Sequence, residues 1–198
     1  MKRSLSALLL LGVAPLLAST GARPRSEEAS APPAPRTVLL VRHAEKETAP
    51  ADPRDPSLST LGAARAAELA RVLAPARATR LFTSELARTR ETLGPLSEAL
   101  GIAPEPLPAA QPAATLAALD ALPPGAVAVV CGHSNTVPRI ASLLGVELAG
   151  LVEERGARLL PDEAYDRLYV VTRPASGPPS VVELRYGGPS GATASSGR

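Results

Sequence analysis

An α/β fold with a mostly parallel sheet is predicted by three features of this 198-residue chain. Apolar runs of strand length alternate with stretches of helical period. Two of those runs end directly on the chain's two histidines: Val38-Leu39-Leu40-Val41 leads into Arg42-His43, and Ala126-Val127-Ala128-Val129-Val130-Cys131 into Gly132-His133. Residues 165–172 and 181–185 alternate apolar and polar side chains around Ser176-Gly177-Pro178, the pattern of a terminal antiparallel hairpin. Open α/β sheets bind ligands beyond the carboxyl ends of their parallel strands, which is where both histidines fall.

The elements follow in order. Lys2 and Arg3, a mostly apolar run over 7–18 broken by Gly12 and Pro15, and small residues over 18–22 form the layout of a secretory signal peptide. Export to the periplasm or the medium is expected, with an uncleaved anchor as the alternative. The run is shorter than the ~20 residues of a spanning helix, so no stable membrane insertion is expected after cleavage. Residues 23–36 are rich in proline, alanine and charge and read as a disordered linker, 37–188 as one domain, and the Gly/Ser/Ala-rich 189–198 as a disordered tail.

Within the domain, a strand at 37–41 ends at the Arg-His pair, and a polar loop over 48–56 follows. Ser59 can cap a helix to about Leu73, stopped by Pro75. Arg65 lies on the apolar face of that helix and needs a carboxylate partner or an anionic ligand; a structural ion pair is favoured. A short strand over 80–83 runs into a helix for which Ser84 is the expected N-cap, placing Arg88 about one turn in. Pro95 is expected to kink that helix or end it near Gly94. The stretch 104–112 has room for a short edge strand, and a helix over 112–121 leads into the second histidine strand. Asn135 can cap a helix with Pro138 in its first turn and Gly145 at its end.

The balance of charge is modest, formally +2, and aromatics are only 2% of the chain, which leaves no stacking platform and argues against nucleic acid as a partner. The single cysteine, Cys131, excludes an intramolecular disulfide and reads as a small buried strand residue. No Cys/His cluster with metal-ligand spacing is present, so neither a metal nor another cofactor is expected. A Gly-x-Gly-x-x-Gly turn is missing after the first strand, which removes a dinucleotide-binding reading.

Phosphoryl transfer through histidine requires a neutral imidazole, a group that orients it, and fixed cations for the nonbridging oxygens. Arg42 adjoins His43, Arg88 comes from the next strand–helix junction, His133 from a third strand end, and Lys46 lies three residues past His43. Arginine suits the task because it is always charged and binds bidentately. These parts make a phosphate pocket without a metal.

Four strings carry a family resemblance. Leu40-Val41-Arg42-His43-Ala44-Glu45-Lys46 resembles the Arg-His signature of the histidine phosphatase superfamily, the phosphoglycerate-mutase-like clan, branch 1. Asp55-Pro56-Ser57-Leu58-Ser59-Thr60-Leu61-Gly62 looks like the segment that follows it. Thr83-Ser84-Glu85-Leu86-Ala87-Arg88-Thr89 is similar to the arginine-bearing segment, and Gly132-His133-Ser134-Asn135 to the second-histidine motif. They occur in the family's order.

The resemblance implies a three-layer sandwich and a phosphatase in which His43 is the phosphorylated nucleophile. Arg42, Arg88 and His133 would complete the pocket, with Lys46 and Asn135 as further phosphate-binding candidates. A small phosphorylated substrate is the implied partner. Many members protonate the leaving oxygen with an acid after the second helix. Here that region offers only Glu105, which also reads as a solvated loop carboxylate, while the motif aligns the acid nearer Ala109. Without an acid, good leaving groups are favoured, and the alternative function is a phosphate- or sugar-phosphate-binding protein of weak turnover. The short gap before His133 favours a phosphatase over a mutase. Oligomeric state is not readable.

Overall fold

The structure, a computed structural model, describes residues 32–188. The expected signal peptide, most of the expected linker and the expected tail lie outside the described residues.

Strands β1 (Arg36–Arg42), β2 (Arg80–Thr83), β3 (Glu105–Pro106), β4 (Val127–Gly132), β7 (Arg167–Arg173) and β8 (Ser180–Arg185) make one sheet in the order β3-β2-β4-β1-β7-β8. The first four are parallel, whereas β7 runs antiparallel to β1 and pairs β8 as the expected hairpin. Helices α1 (Thr60–Leu73) and α2 (Ala87–Leu100) pack on one face, and α3 (Pro112–Asp120) and α4 (Thr136–Leu143) on the other. The fold is therefore the mostly parallel α/β sheet that the sequence predicts, in the three-layer sandwich that the family resemblance implies.

Period-two alternation divides the strands between the two cores. Val38 and Leu40 of β1, with Ala128 and Val130 of β4, join Val137 and Ile140 of α4. Leu39 and Val41, with Val129 and Cys131, join Leu69 of α1 and Leu93 and Leu96 of α2. Both faces of β1 and β4 are covered, so their sequences are continuous apolar runs.

Several local expectations are met. Ser59 caps α1, its hydroxyl accepting from the Gly62 N–H at 3.1 Å, and Pro75 falls in a single 3-10 turn, Ala74–Ala76, that follows the helix. Gly62 has no freedom to change, since a Cβ there would sit 2.0 Å from the Glu45 carbonyl oxygen.

Others are corrected. Ser84 does not cap α2; Leu86 holds the N-cap position without a side-chain bond, and the Asp55 carboxylate, arriving from the preceding loop, accepts from Ala87 N at 2.8 Å. Arg88 is thus the second residue of the helix, not a turn inside it. Of the two outcomes expected at Pro95, an end near Gly94 is ruled out, for the helix continues to Leu100 and closes on left-handed Gly101. Asn135 occupies the N-cap position of α4 but makes no capping bond. The linker expected over 23–36 gives way to ordered structure before its end: Arg36 opens β1, its Nε donating to Leu122 O at 2.6 Å, and Ala34 O accepts from Gly125 N.

One element was not expected. Strands β5 (Val152–Glu154) and β6 (Ala157–Leu159) form a separate hairpin around Arg155-Gly156. Both turn residues are left-handed, with φ of 51° and 77°, as a two-residue type I′ turn demands. Leu160 is buried beyond it and donates its N–H to Ser134 O at 2.9 Å, fixing the hairpin beside the second histidine segment.

Candidate active site

The parallel register of β1 and β4 pairs Arg42 with Gly132, and His43 N donates to Gly132 O at 2.9 Å. The next residue of each strand is a histidine, so the pairing itself sets the two imidazoles side by side. Their ring centroids lie 5.3 Å apart at 61°, and both side chains are buried. Gly132 must be glycine because a Cβ there would meet Thr136 Oγ1 at 2.6 Å. That hydroxyl instead accepts from His133 N at 2.8 Å.

His43 Nδ1 lies 2.7 Å from Ala44 O. A carbonyl only accepts, so Nδ1 carries the proton and Nε2 keeps its lone pair. Burial, aided by the charges of Arg42 and Arg88, pushes the His43 pKa down to about 3. At neutral pH the ring is an uncharged base with one orientation. The following peptide is clamped as well: Ala44 N donates to Thr92 Oγ1, which donates to Arg88 O.

His133 Nε2 is 2.9 Å from Ser84 Oγ, and that hydroxyl also accepts from Leu86 N and lies 2.9 Å from Thr89 Oγ1. Ser84 thus ties the end of β2 to the end of β4 instead of capping a helix. Burial, then the Arg88 charge, lowers the His133 pKa to about 4.

Arg42 is held from three sides. One terminal nitrogen donates to Pro161 O at 2.8 Å and Asp162 O at 2.9 Å, the other to Tyr165 Oη at 3.4 Å, and the guanidinium stacks 4.2 Å from the Tyr165 ring centroid. Its Nε is buried with no hydrogen-bond partner among the described residues. Burial lowers the Arg42 pKa from its ordinary value, and the guanidinium nevertheless stays protonated at neutral pH. Arg88 sits at the positive end of α2, 3.7 Å from Asp55 Oδ1.

Arg42, His43, Lys46, Arg88, His133 and Asn135 all line one open cleft of ≈ 600 Å³. Every principal and secondary phosphate-binding candidate is therefore brought together. Glu105 is not: it lies exposed on edge strand β3 and takes no part in the cleft wall. Ala109 and Ala110 line the cleft where the motif aligns an acid, and Ala109 N donates to Glu85 Oε2 at 2.8 Å. Among the described residues Asp162 is the one carboxylate on the cleft wall.

Sequence reasoning missed Ser84 as the partner of His133, Asp55 as the partner of Arg88, and the whole Pro161–Tyr165 cradle of Arg42. Tyr165 had a usable signal, as one of only three tyrosines in an aromatic-poor chain. Arg65 has the carboxylate partner that its buried position required: Glu45 accepts from it at 2.7 and 2.9 Å.

The domain is thus a three-layer α/β sandwich with Arg-His at the end of its first strand and a second histidine at the end of the adjacent parallel strand. Residues 38–111, which hold Arg42, His43 and Arg88, match the model of the histidine phosphatase superfamily (branch 1). The solved structures of similar fold include the protein histidine phosphatase SixA complexed with tungstate (TM-score 0.55, 20% identity, covering 75% of this chain and 96% of that one). They also include mycobacterial glucosyl-3-phosphoglycerate phosphatase with inorganic phosphate (0.52, 17%, 75% and 95%) and mycobacterial hydrolase 1 (0.52, 18%, 75% and 97%). At these identities the likeness is one of fold. No curated protein matches the chain.

Proposed function

We propose that this chain is a phosphatase that transfers a phosphoryl group to Nε2 of His43 and then hydrolyses the phosphohistidine. The observation that carries the reading is the His43 ring, held neutral with Nδ1 on Ala44 O and Nε2 left free among Arg42, Arg88 and His133. Nε2 supplies the electron pair for the new N–P bond while the P–O bond to the leaving group breaks. Arg42 and Arg88, both lining the cleft, neutralise the nonbridging oxygens as charge develops there. His133, fixed by Ser84, donates to the same oxygens once it takes a proton in the field of the bound anion. Water then attacks phosphorus, releasing phosphate and restoring the His43 lone pair.

Residues Arg42, His43, Arg88 and His133 act directly in this reading, with Lys46 and Asn135 at the rim. The cations are supplied by the chain, so no metal is required. Ala109 stands in place of an acid, which favours substrates whose leaving group departs with little protonation. The activities named for the fold neighbours, a protein histidine phosphatase and a glucosyl-3-phosphoglycerate phosphatase, both fall within phosphoryl chemistry. We place the enzyme outside the cytoplasm on the strength of the leader-like residues 1–22, which argues against a cytoplasmic phosphoprotein as its substrate.

The test is chemical trapping. Wild-type protein mixed with labelled phenyl phosphate should acquire acid-labile, base-stable label, and His43→Ala should acquire none. The variant should keep partial phosphate binding and lose turnover to below about a tenth of the wild-type rate, as expected for a covalent step. Turnover above that level overturns the nucleophile. Ala109 at the position where the motif aligns an acid specifically favours a second reading, a phosphate-binding protein of weak turnover; it is the correct one if wild type binds phosphate yet turns over no phosphoester, phosphoramidate or acyl phosphate.

A further inference from the structure

A second cavity of ≈ 500 Å³ adjoins the phosphoryl cleft. The two share Ala109, Ala110, Asn135 and Thr136 along their common wall. From that wall the second cavity runs between α4 and the β5–β6 hairpin. Its sides are apolar where Pro112, buried Pro138, buried Leu148 and half-buried Leu151 face it, and Ala157 of β6 closes the far side.

Its charged groups are unequal. Arg158 is paired with Glu147, so the two cancel across the rim. Arg139, exposed on α4, has no carboxylate partner among the described residues. The volume lies within the ~300–1,000 Å³ of small-molecule sites, and an apolar wall with few placed polar groups is what such sites use to orient a ligand. The hairpin wall is anchored at its base, where Leu160 N donates to Ser134 O, one residue from His133.

We infer that this cavity is the leaving-group subsite: the substrate is a phosphomonoester whose alcohol carries an extended apolar body and a second anionic group. With the phosphoryl group among Arg42, Arg88 and the two histidines, a continuation walled by apolar side chains opens past Ala109 and Asn135 into this space. The apolar body lies against Leu148, Leu151 and Pro138, and the second anion reaches Arg139. The alanines at 109 and 110 keep the junction open, where larger side chains would divide the two cavities. This rests on the phosphatase reading for its chemistry, but the subsite can be tested without turnover.

The probes are phenyl phosphate, 2-naphthyl phosphate and 6-carboxy-2-naphthyl phosphate, with 6-hydroxy-2-naphthoate as the free leaving alcohol. Wild-type kcat/KM should rise along the series by about tenfold or more from the smallest to the carboxylated substrate. Ala157→Trp fills the cavity from an exposed strand position and should lower kcat/KM for both naphthyl substrates about tenfold more than for phenyl phosphate. Arg139→Gln should cancel the advantage of the carboxylated substrate over 2-naphthyl phosphate. Fluorescence titration should show 6-hydroxy-2-naphthoate binding to wild type and to His43→Ala, and not to Ala157→Trp. Equal kcat/KM across the series, or parallel losses for all three substrates in Ala157→Trp, overturns the subsite. If wild type turns over none of the three yet binds the alcohol in an Ala157-dependent way, the phosphatase reading falls and the subsite stands.

Discussion

At the scale of the residue, the two histidines are buried while neutral, and this couples stability to pH with a definite sign. Both folded pKa values, about 3 for His43 and about 4 for His133, lie below the ordinary imidazole value near 6.5. Above pH 6.5 neither state binds these protons and the histidines leave stability unchanged. As pH falls below 6.5 the unfolded chain takes up protons that the folded chain refuses, so stability drops until the folded pKa values are reached. Each ring contributes a slope of up to about 1.4 kcal/mol per pH unit in that window. Urea denaturation of wild type and His43→Asn between pH 7 and pH 4.5 checks this. The variant should lose stability less steeply, by close to one proton, and equal slopes would mean that His43 is protonated in the folded protein. Bound phosphate works the other way, since an anion beside the rings restores the value of the protonated form.

At the scale of the element, α2 begins where it does because Asp55 reaches in from the loop before α1. Its carboxylate accepts from Ala87 N and pairs with Arg88, and three residues further on Glu91 accepts from Leu58 N of the same loop. One carboxylate therefore starts the helix and aims Arg88, the arginine proposed to bind phosphate. Asp55→Ala should cost about 1 kcal/mol of stability, the usual worth of an N-cap. It should also raise KM through the loss of aim at Arg88. A loss of stability with KM unchanged would show that Arg88 needs no help from Asp55.

The cap also marks where sequence reasoning stops. Strands β1 and β4, helix α1 with its Ser59 cap and the β7–β8 hairpin were legible because each is written in contiguous residues, as periodicity or as a local hydrogen bond. The partners His43–His133, Arg42 and Arg88 were legible through motifs at strand ends. Asp55 on Ala87, Ser84 on His133 and Pro161 on Arg42 are separated by up to 119 residues, and no local rule announces them. Ser84 was misread for that reason, since a serine before a helix is a cap by local rules and a tether only in three dimensions. The β5–β6 hairpin escaped because arginine, not asparagine or aspartate, precedes its glycine.

At the scale of the whole described domain, the signature loop is fastened to the far end of the chain through Arg65. Its guanidinium takes Glu45, two residues past His43, by three hydrogen bonds, and with its remaining nitrogen donates to Tyr186 O and Gly188 O after the last strand. Both side chains are largely withdrawn from water, at 3% and 13% exposure. Breaking such a pair leaves an uncompensated buried charge, so Arg65→Met should cost about 3–5 kcal/mol in urea denaturation. Removing both charges is different in kind. Glu45→Leu combined with Arg65→Met takes away the stranded carboxylate, and most of the loss should return. It should not return fully, because the Tyr186 and Gly188 carbonyls still lack their donor, a deficit of about 1–2 kcal/mol. The double variant should accordingly fall between the single variant and wild type. A double variant as unstable as Arg65→Met alone would assign the whole effect to the two carbonyls and leave the Glu45 pair with no net role.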